Sequence, residues 1–301
     1  MDDPYHVFWC RFAAAGCLAG IRLLPGSRLV SRGEQALVDL VDAPLFDAHG
    51  PGDGTRPVSP PRGRDGREGV AAVLFDMDGL LVDTEPLWTV AEHELAASLG
   101  ARFTPDIKAA MIGHGVDTAL PLMLSMLGVP DADPHAAARF LIERTAELFG
   151  EPGRIIPMPG AVALLDALAA AGIATALVSS SFRVLMDPVL VTIGPERFAV
   201  TVAGDEVSRR KPHPEPYLTA ARMLGVDPAQ CVVLEDSEAG VRAGLDAGCP
   251  TILVPSFPAT AVHPVAAEAT VRPSLHEVTV DLLDLLVTQT GNTGRYSDAV
   301  G

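Results

Sequence analysis

Short runs of mainly apolar residues alternate with helical patterns along most of the chain. Five such runs occur, at residues 70–75, 173–178, 198–203, 231–234 and 251–254. A continuous apolar run is typical of a strand that is buried on both faces of a parallel sheet. Between the runs, apolar residues recur at helical spacing, as at Val162, Leu165 and Leu168. The pattern therefore predicts an α/β fold, a doubly wound and mainly parallel sheet with helices on both sides.

The connection between the first two runs is too long for a single crossover, because connections in such units usually span only a few residues. The intervening segment is helical throughout, with Leu87, Ala91 and Leu95 repeating every fourth position. We therefore predict a sheet domain built from residues 70–86 and 155–287, with a helical domain at 87–154 inserted into it.

The two ends of the chain differ from the rest. Ten of the 20 residues from Gly50 to Gly69 are Gly or Pro, and seven more are charged. Such a segment buries too little apolar surface to offset its chain entropy. We expect residues 1–69 to form a flexible N-terminal extension. The polar end at 288–301 is expected to be a disordered tail.

The charge of the chain restricts its ligands. With 22 Lys and Arg against 38 Asp and Glu, the net charge is −16. Such an acidic chain is a poor candidate for binding nucleic acid or an anionic membrane. An anionic ligand would need a local source of positive charge, such as a metal ion, one or two basic side chains, or backbone amides.

The cysteines and the first residues bear on location. The four cysteines show neither a Cys-x-x-Cys pair nor the spacing of a zinc site. Reduced thiols are typical of cytoplasmic proteins. The apolar stretch at 12–21 is shorter than the roughly 20 residues that cross a bilayer. We therefore expect a cytoplasmic protein.

The candidate chemistry lies at the carboxyl ends of the predicted strands, where open parallel sheets bind their ligands. Clustered carboxylates repel one another unless a cation lies between them, and Mg²⁺ prefers oxygen ligands. One carboxylate can act as a nucleophile, a second as a general acid and base, and a lysine can neutralise a phosphoryl oxygen. A group of carboxylates with one hydroxyl and one lysine therefore suits phosphoryl transfer. Six side chains are expected to converge there: Asp76, Asp78, Ser179, Lys211, Glu235 and Asp236.

Three of these assignments have alternatives. Lys211 could be one of several surface cations, although the proline that follows it favours a place in the site. Ser180 or Ser181 could cap the following helix instead of Ser179, with Ser180 supplying a backbone amide. Glu235 is equally compatible with a metal ligand and with a group that orients one.

Four motifs in the expected order carry a family resemblance. They are Phe75-Asp76-Met77-Asp78-Gly79 with the following run to Pro86, then Ser179, then Lys211-Pro212, then Leu234-Glu235-Asp236-Ser237. Over about residues 70–287 the chain resembles the haloacid dehalogenase-like hydrolase superfamily. This resemblance implies a Rossmann-like core with an inserted helical cap domain, which is mobile and closes over the substrate.

The resemblance also implies roles for the acidic residues. Asp76 would be the nucleophile, and Asp78 would be the general acid and base. Mg²⁺ would be held by Asp76, the backbone carbonyl of Asp78 and Asp236, with Glu235 close by or linked through water.

Further residues are implied for binding the substrate. Ser179 and Lys211 would hold the phosphoryl group. Substrate contacts near the cap are expected from four residues: Thr84, Trp88, His114 and Ser180. For Trp88 ordinary packing is an equal alternative, and His114 could simply be exposed in its loop.

The run Asp83-Thr84-Glu85-Pro86 is similar to β-phosphoglucomutase and to sugar and hexitol phosphate phosphatases. The mutases carry a His four residues after the Thr, where this chain has Trp88. Dehalogenases of the superfamily lack the second Asp of the first motif, so Asp78 argues against dehalogenation.

We predict a Mg²⁺-dependent phosphatase that hydrolyses a small phosphorylated metabolite, a sugar or polyol phosphate, through an aspartyl-phosphate. The alternatives are a phosphomutase and a non-catalytic binding protein on the same fold. A monomer is expected.

Overall fold

The computed structural model describes residues 69–111, 116–256 and 264–297. Except for Gly69, the predicted flexible extension at 1–69 lies outside the described residues, and so does His114. None of the described helices is both long enough and apolar enough to span a membrane.

The described residues form a main sheet of six parallel strands. The strands of the chain are β1 (Ala72–Phe75), β2 (Val82–Asp83), β3 (Ile156–Pro157), β4 (Ala174–Val178), β5 (Val200–Val202), β6 (Cys231–Glu235), β7 (Thr251–Leu253) and β8 (Thr270–Val271). The main sheet has the order β5–β4–β1–β6–β7–β8, and all its neighbouring strands pair in parallel. Its first five strands in the chain coincide with the predicted apolar runs, so the α/β prediction is confirmed. The short edge strand β8 has no apolar run and was not predicted.

Helices cover both faces of this sheet. The helices are α1 (Glu85–Ser98), α2 (Pro105–Met111), α3 (Val116–Met126), α4 (Pro134–Gly150), α5 (Ala161–Ala171), α6 (Arg183–Ile193), α7 (Glu215–Leu224), α8 (Glu238–Asp246) and α9 (Val280–Ser297). Successive residues of β1 point to opposite faces. Val73 and Phe75 pack in a buried cluster with α5, α6 and α9, whereas Ala72 and Leu74 pack in a second cluster with α7 and α8. The core therefore consists of two apolar layers, one on each face of the sheet.

Helices α1 to α4 form one segment of the chain between β2 and β3. These two short strands pair antiparallel, Val82 with Pro157 and Asp83 with Ile156. The chain therefore leaves the sheet domain and returns to it at one place. Within the segment, Arg144 of α4 makes a two-point ion pair with Glu94 of α1. Helix α4 also packs against α6, so the segment contacts the sheet domain beyond its two connections.

The last helix is longer than the sequence predicts. Helix α9 continues to Ser297, although residues 288–301 are predicted to be disordered. Leu283 and Val287 are buried against the core and fix the first part of the helix. Extending an existing helix is much easier than starting one, so it can continue beyond its last core contact. Residues 298–301 lie outside the described part of the chain.

Strand β6 and helix α8 approach each other closely at Gly240. The Ser237 hydroxyl caps α8 by accepting a hydrogen bond from the Gly240 amide. A β-carbon on Gly240 would overlap the carboxyl group of Glu235, which is fully buried at the end of β6. The absence of a side chain at Gly240 therefore makes room for Glu235.

We expect Gly240→Ala to destabilise the protein by about 2 kcal/mol, since the added methyl group overpacks a closed site. This should lower Tm by about 5 °C, as measured by thermal unfolding. Gly150→Ala is the matched control, because no described heavy atom lies within 4 Å of a β-carbon there. Equal Tm values for the two variants would contradict the close approach at Gly240.

Candidate active site

The carboxyl edge of the sheet brings the six predicted site residues together. Asp76 directly follows β1, Ser179 follows β4, and Asp236 follows β6, and these three strands are neighbours in the sheet. Lys211 lies in the loop before α7, and its Nζ reaches the same place, 2.6 Å from Asp76 Oδ1. Parallel pairing therefore gathers residues that are far apart in the sequence.

Lys211 lies at the centre of the site. Its side chain is only 3% exposed, and it forms ion pairs of 2.6 Å with both Asp76 and Glu235. Its Nζ also donates a hydrogen bond of 2.8 Å to the carbonyl of Val178, the last residue of β4. The alternative of a surface cation is therefore wrong, because three acceptors hold this ammonium group in the interior.

Glu235 is surrounded by hydrogen-bond donors. Its Oε1 accepts bonds from Lys211 Nζ and from the hydroxyl of Tyr217, the latter at 2.5 Å. Its Oε2 accepts bonds from the backbone amide of Asp236 and the hydroxyl of Ser237, at 3.2 and 3.1 Å. Because both oxygens are already bonded within the chain, the structure favours Glu235 as an orienting group over a metal ligand.

Hydroxyl groups hold the carboxylate of Asp78. Thr84 Oγ1 donates to Oδ1 at 2.7 Å, and Ser181 Oγ donates to Oδ2 at 2.7 Å. Ser179 Oγ donates to the same Oδ2 at 3.2 Å and accepts a bond from the Ser181 amide. The carboxylate of Asp78 is thus fixed by neutral donors, whereas that of Asp76 faces an ammonium group.

Burial and mutual repulsion shift the titration of these acids. Burial raises the pKa of Asp76 well above its ordinary value; the charge of Glu235 adds to the rise, and Lys211 opposes it. Burial also raises the pKa of Asp236 to about 7, with Glu235 again adding to the effect. For Asp78, burial raises the pKa against the opposing hydrogen bonds of the hydroxyl groups.

The electrostatic balance is different for the lysine. Burial alone would lower the pKa of Lys211, but the charges of Asp76 and Glu235 outweigh burial and raise it. Lys211 therefore stays protonated, yet one ammonium group faces four carboxyl groups at this edge. The site is short of positive charge.

The donor set fits a hard divalent cation. Asp76 and Asp236 each place one carboxylate oxygen within 4.8 Å of the other and of an oxygen of Glu235, which orients the group. Such cations take oxygen ligands, and a cation here would relieve the repulsion that raises the pKa values of the acids. Gly79 has φ +83°, and a β-carbon on it would overlap Asp236 Oδ2. The absence of a side chain at Gly79 therefore leaves space for the Asp236 carboxylate.

The predicted substrate residues have different environments. Thr84 is buried and contacts Asp78, as described above. Trp88, one turn into α1, is half-buried and packs against the apolar core, in agreement with the packing alternative. The carbonyl of Ser180 faces Gly204, where a β-carbon would collide with it. His114 lies outside the described residues.

Three residues of the site were not singled out from the sequence. Ser256 donates a hydrogen bond of 2.5 Å to Asp236 Oδ2. It follows β7, so its place after the carboxyl end of a parallel strand could have indicated it. Ser181 was considered only as a helix cap, since the spacing of three serines does not show which hydroxyl faces Asp78. Tyr217 lies on the buried face of α7 and has the pattern of a core residue.

Comparison with known proteins agrees with this geometry. The fold and the site define an α/β protein with a carboxylate-rich site at the carboxyl edge of its sheet. A family model described as haloacid dehalogenase-like hydrolase matches residues 70–248, and the chain belongs to this family. The predicted resemblance is therefore confirmed.

Three relatives show the range of similar proteins. Hexitol phosphatase A of Escherichia coli K12 is 39% identical over 181 residues, which cover 60% of this chain and 81% of that protein. The chloroplastic protein SUPPRESSOR OF QUENCHING 1 of Arabidopsis thaliana is 31% identical over 214 residues, or 70% of this chain but only 20% of that protein. The solved structure of CbbY from Rhodobacter sphaeroides in complex with phosphate is 30% identical, with a TM-score of 0.59, and the match covers 69% of this chain and 96% of that one.

We expect the metal-free protein to be more stable at about pH 5.5 than at about pH 8, and Asp236→Asn to reduce this difference. Asp236 has a pKa of about 7 in the folded protein against an ordinary value of 3.8. Between pH 3.8 and about 7 the folded state therefore holds a proton that the unfolded state has released, so the stabilisation, which is full below pH 3.8, falls as the pH rises and is lost above about pH 7.

The test compares Tm at the two pH values, in EDTA, for the wild type, Asp236→Asn and the control Asp246→Asn. Asp246 is exposed at the end of α8, so its variant should follow the wild type. If Asp236→Asn kept the full pH dependence, the carboxyl group of Asp236 would not be its source.

Proposed function

We propose that this protein is a Mg²⁺-dependent phosphatase that hydrolyses a small sugar or polyol phosphate through an aspartyl-phosphate on Asp76. The observation that carries the proposal is the contact of the Lys211 ammonium with Asp76, beside a second, partly buried acid, Asp78, whose carboxylate accepts hydrogen bonds from three hydroxyl groups of the described residues. A two-step phosphoryl transfer requires a nucleophile next to a cation that can neutralise the phosphoryl group, and an acid that can gain and lose a proton. Asp76 and Asp78 have these two surroundings. The hexitol phosphatase among the relatives supports the substrate class.

In the first step an oxygen of the Asp76 carboxylate attacks phosphorus in line with the departing oxygen. The bond from phosphorus to the ester oxygen breaks, and an acyl phosphate forms on Asp76. Lys211 neutralises a phosphoryl oxygen while Glu235 and the Val178 carbonyl keep its ammonium in place. The Ser179 hydroxyl and the amides of its loop lie at the same edge and contribute further donors.

Asp78 performs both proton transfers. In its protonated form it gives a proton to the departing alkoxide, and burial raises the pKa of Asp78, so this form is more accessible than for an ordinary aspartate. It then removes a proton from the water that attacks the aspartyl-phosphate. Thr84 and Ser181 keep its two oxygens fixed during both transfers.

The proposed metal ligands are Asp76 and Asp236, with the backbone carbonyl of Asp78 added by the family resemblance. A bound Mg²⁺ would supply the positive charge that this edge lacks and would offset the charge of the phosphoryl oxygens. Glu235 accepts a bond from the backbone amide of Asp236, and Ser256 donates to the Asp236 carboxylate, so both hold this ligand in position.

The helical segment α1–α4 is the proposed cap. Thr84 connects it directly to the chemistry, because its hydroxyl bonds to Asp78 and its carbonyl accepts bonds from Leu87 and Trp88 in the first turn of α1. Closure of the cap would exclude water from the site before the transfer.

The proposed function is tested by phosphate release from a panel of sugar, polyol and nucleotide monophosphates with Mg²⁺. We expect the highest kcat/KM for a sugar or polyol phosphate, and activity that EDTA abolishes and added Mg²⁺ restores. Hexose 1-phosphate with a bisphosphate activator is included. An isomeric hexose phosphate formed without free phosphate would indicate a phosphomutase, and inactivity on the whole panel would favour a binding protein.

Asp76→Asn should abolish turnover, since an amide cannot form the covalent intermediate, with a loss of at least about 10³-fold in kcat. Its Tm without metal should be unchanged or higher, because one of four crowded acids is removed. Asp246→Asn serves again as the control and should keep full activity. Wild-type turnover in the Asp76 variant would refute the nucleophile assignment.

A further inference from the structure

Tyr217 lies beneath the active site and contacts two of its charged groups. It is fully buried on the inner face of α7. Its hydroxyl donates a hydrogen bond of 2.5 Å to Glu235 Oε1, and its ring centre lies 4.8 Å from Lys211 Nζ. A tyrosine that only filled the core would need neither contact, and phenylalanine would fill the same volume.

Glu235 Oε1 is shared between two donors. Lys211 Nζ lies 2.6 Å from this oxygen and the Tyr217 hydroxyl 2.5 Å from it. Hydrogen bonds to a charged oxygen are short and strong, and each donor takes part of the negative charge of the carboxylate. The Tyr217 hydroxyl therefore weakens the attraction of Glu235 for the ammonium group and fixes the direction of the carboxylate.

The three protons of Lys211 are all in use. They go to Asp76, Glu235 and the Val178 carbonyl. To bind a phosphoryl oxygen, the ammonium must share or release one of these bonds. Asp76 is the acceptor on the substrate side, so the other two contacts must hold Lys211 while that bond is exchanged.

We propose that Tyr217 is a positioning residue for phosphoryl binding, which orients Glu235 and through it keeps Lys211 able to turn from Asp76 to the phosphoryl oxygen. The Tyr217 ring also stabilises the Lys211 ammonium group, because the negative face of an aromatic ring attracts a cation. The inference rests on the proposed function and adds to it a residue that touches no substrate.

The test is Tyr217→Phe, which keeps the ring and removes the hydroxyl. We expect KM for the best phosphate ester and Kd for inorganic phosphate each to rise about tenfold, the cost of one bond to a charged group. We expect kcat to change less than about threefold, because the ammonium contacts the phosphoryl group before and during transfer. Calorimetry with inorganic phosphate and Mg²⁺ measures Kd independently of turnover.

Thr251→Val is the matched control. Thr251, the first residue of β7, is also buried, and its hydroxyl donates to the Cys249 carbonyl, away from the site. Both substitutions remove a buried hydroxyl and should lower Tm. Only Tyr217→Phe should change KM and Kd. A lower Tm with unchanged KM and Kd in both variants would overturn the proposal and leave Tyr217 a core residue.

A double variant tests whether Tyr217 acts through Glu235. In Glu235→Gln the carboxylate is gone, so adding Tyr217→Phe should change Kd for phosphate less than about twofold. Effects that add independently would show that Tyr217 does not act through Glu235 and would overturn the inference. If wild-type protein bound phosphate but hydrolysed none of the esters, the proposed function would fail while the Kd comparison still tested Tyr217.

Discussion

A single buried ammonium group organises the active site. Lys211 is almost inaccessible to solvent, and a charge in that position is tolerated because Asp76 and Glu235 lie 2.6 Å from it. Removing both acids would leave an uncompensated charge in the interior, whereas removing one leaves the other to balance the ammonium. The two acids lie side by side because β1 and β6, which carry them, are neighbours in the sheet. The site and the core are therefore not separable parts of this fold.

Hydrogen bonding distinguishes four acids that are chemically alike. Glu235 is bonded at both oxygens by donors of the chain itself, and so serves as an anchor. Among the described residues the carboxylate of Asp78 bonds to hydroxyl groups and forms no ion pair, so it can gain or lose a proton without breaking one. Asp76 has a cation on one oxygen, while Asp236 is bonded by Ser256 on one oxygen. The different proposed roles follow from these surroundings and not from residue type.

The sheet and the edge that carries the site could be predicted because both follow from local sequence. Apolar runs indicate buried strands, and parallel strands place their carboxyl ends together, which is why Asp76, Ser179 and Asp236 were found. The pattern could not show Tyr217, because a buried aromatic residue in a helix has the same periodicity whether or not its hydroxyl is bonded. Nor could it show the role of Ser181, since the direction of three consecutive hydroxyl groups depends on the turn after β4. The extent of α9 was missed because a helix can continue beyond the residues that anchor it.

The β2–β3 pair has a consequence for how this molecule could be re-engineered. Because the helical segment departs at Val82–Asp83 and returns at Ile156–Pro157, its two junctions lie next to each other. A replacement segment from a homologous protein would have to match this narrow gap and the surface of α6. Recombination at these two junctions would exchange the proposed cap as a unit while the acids and the lysine of the sheet edge stay unchanged. Such chimaeras would show directly whether this helical segment selects the substrate.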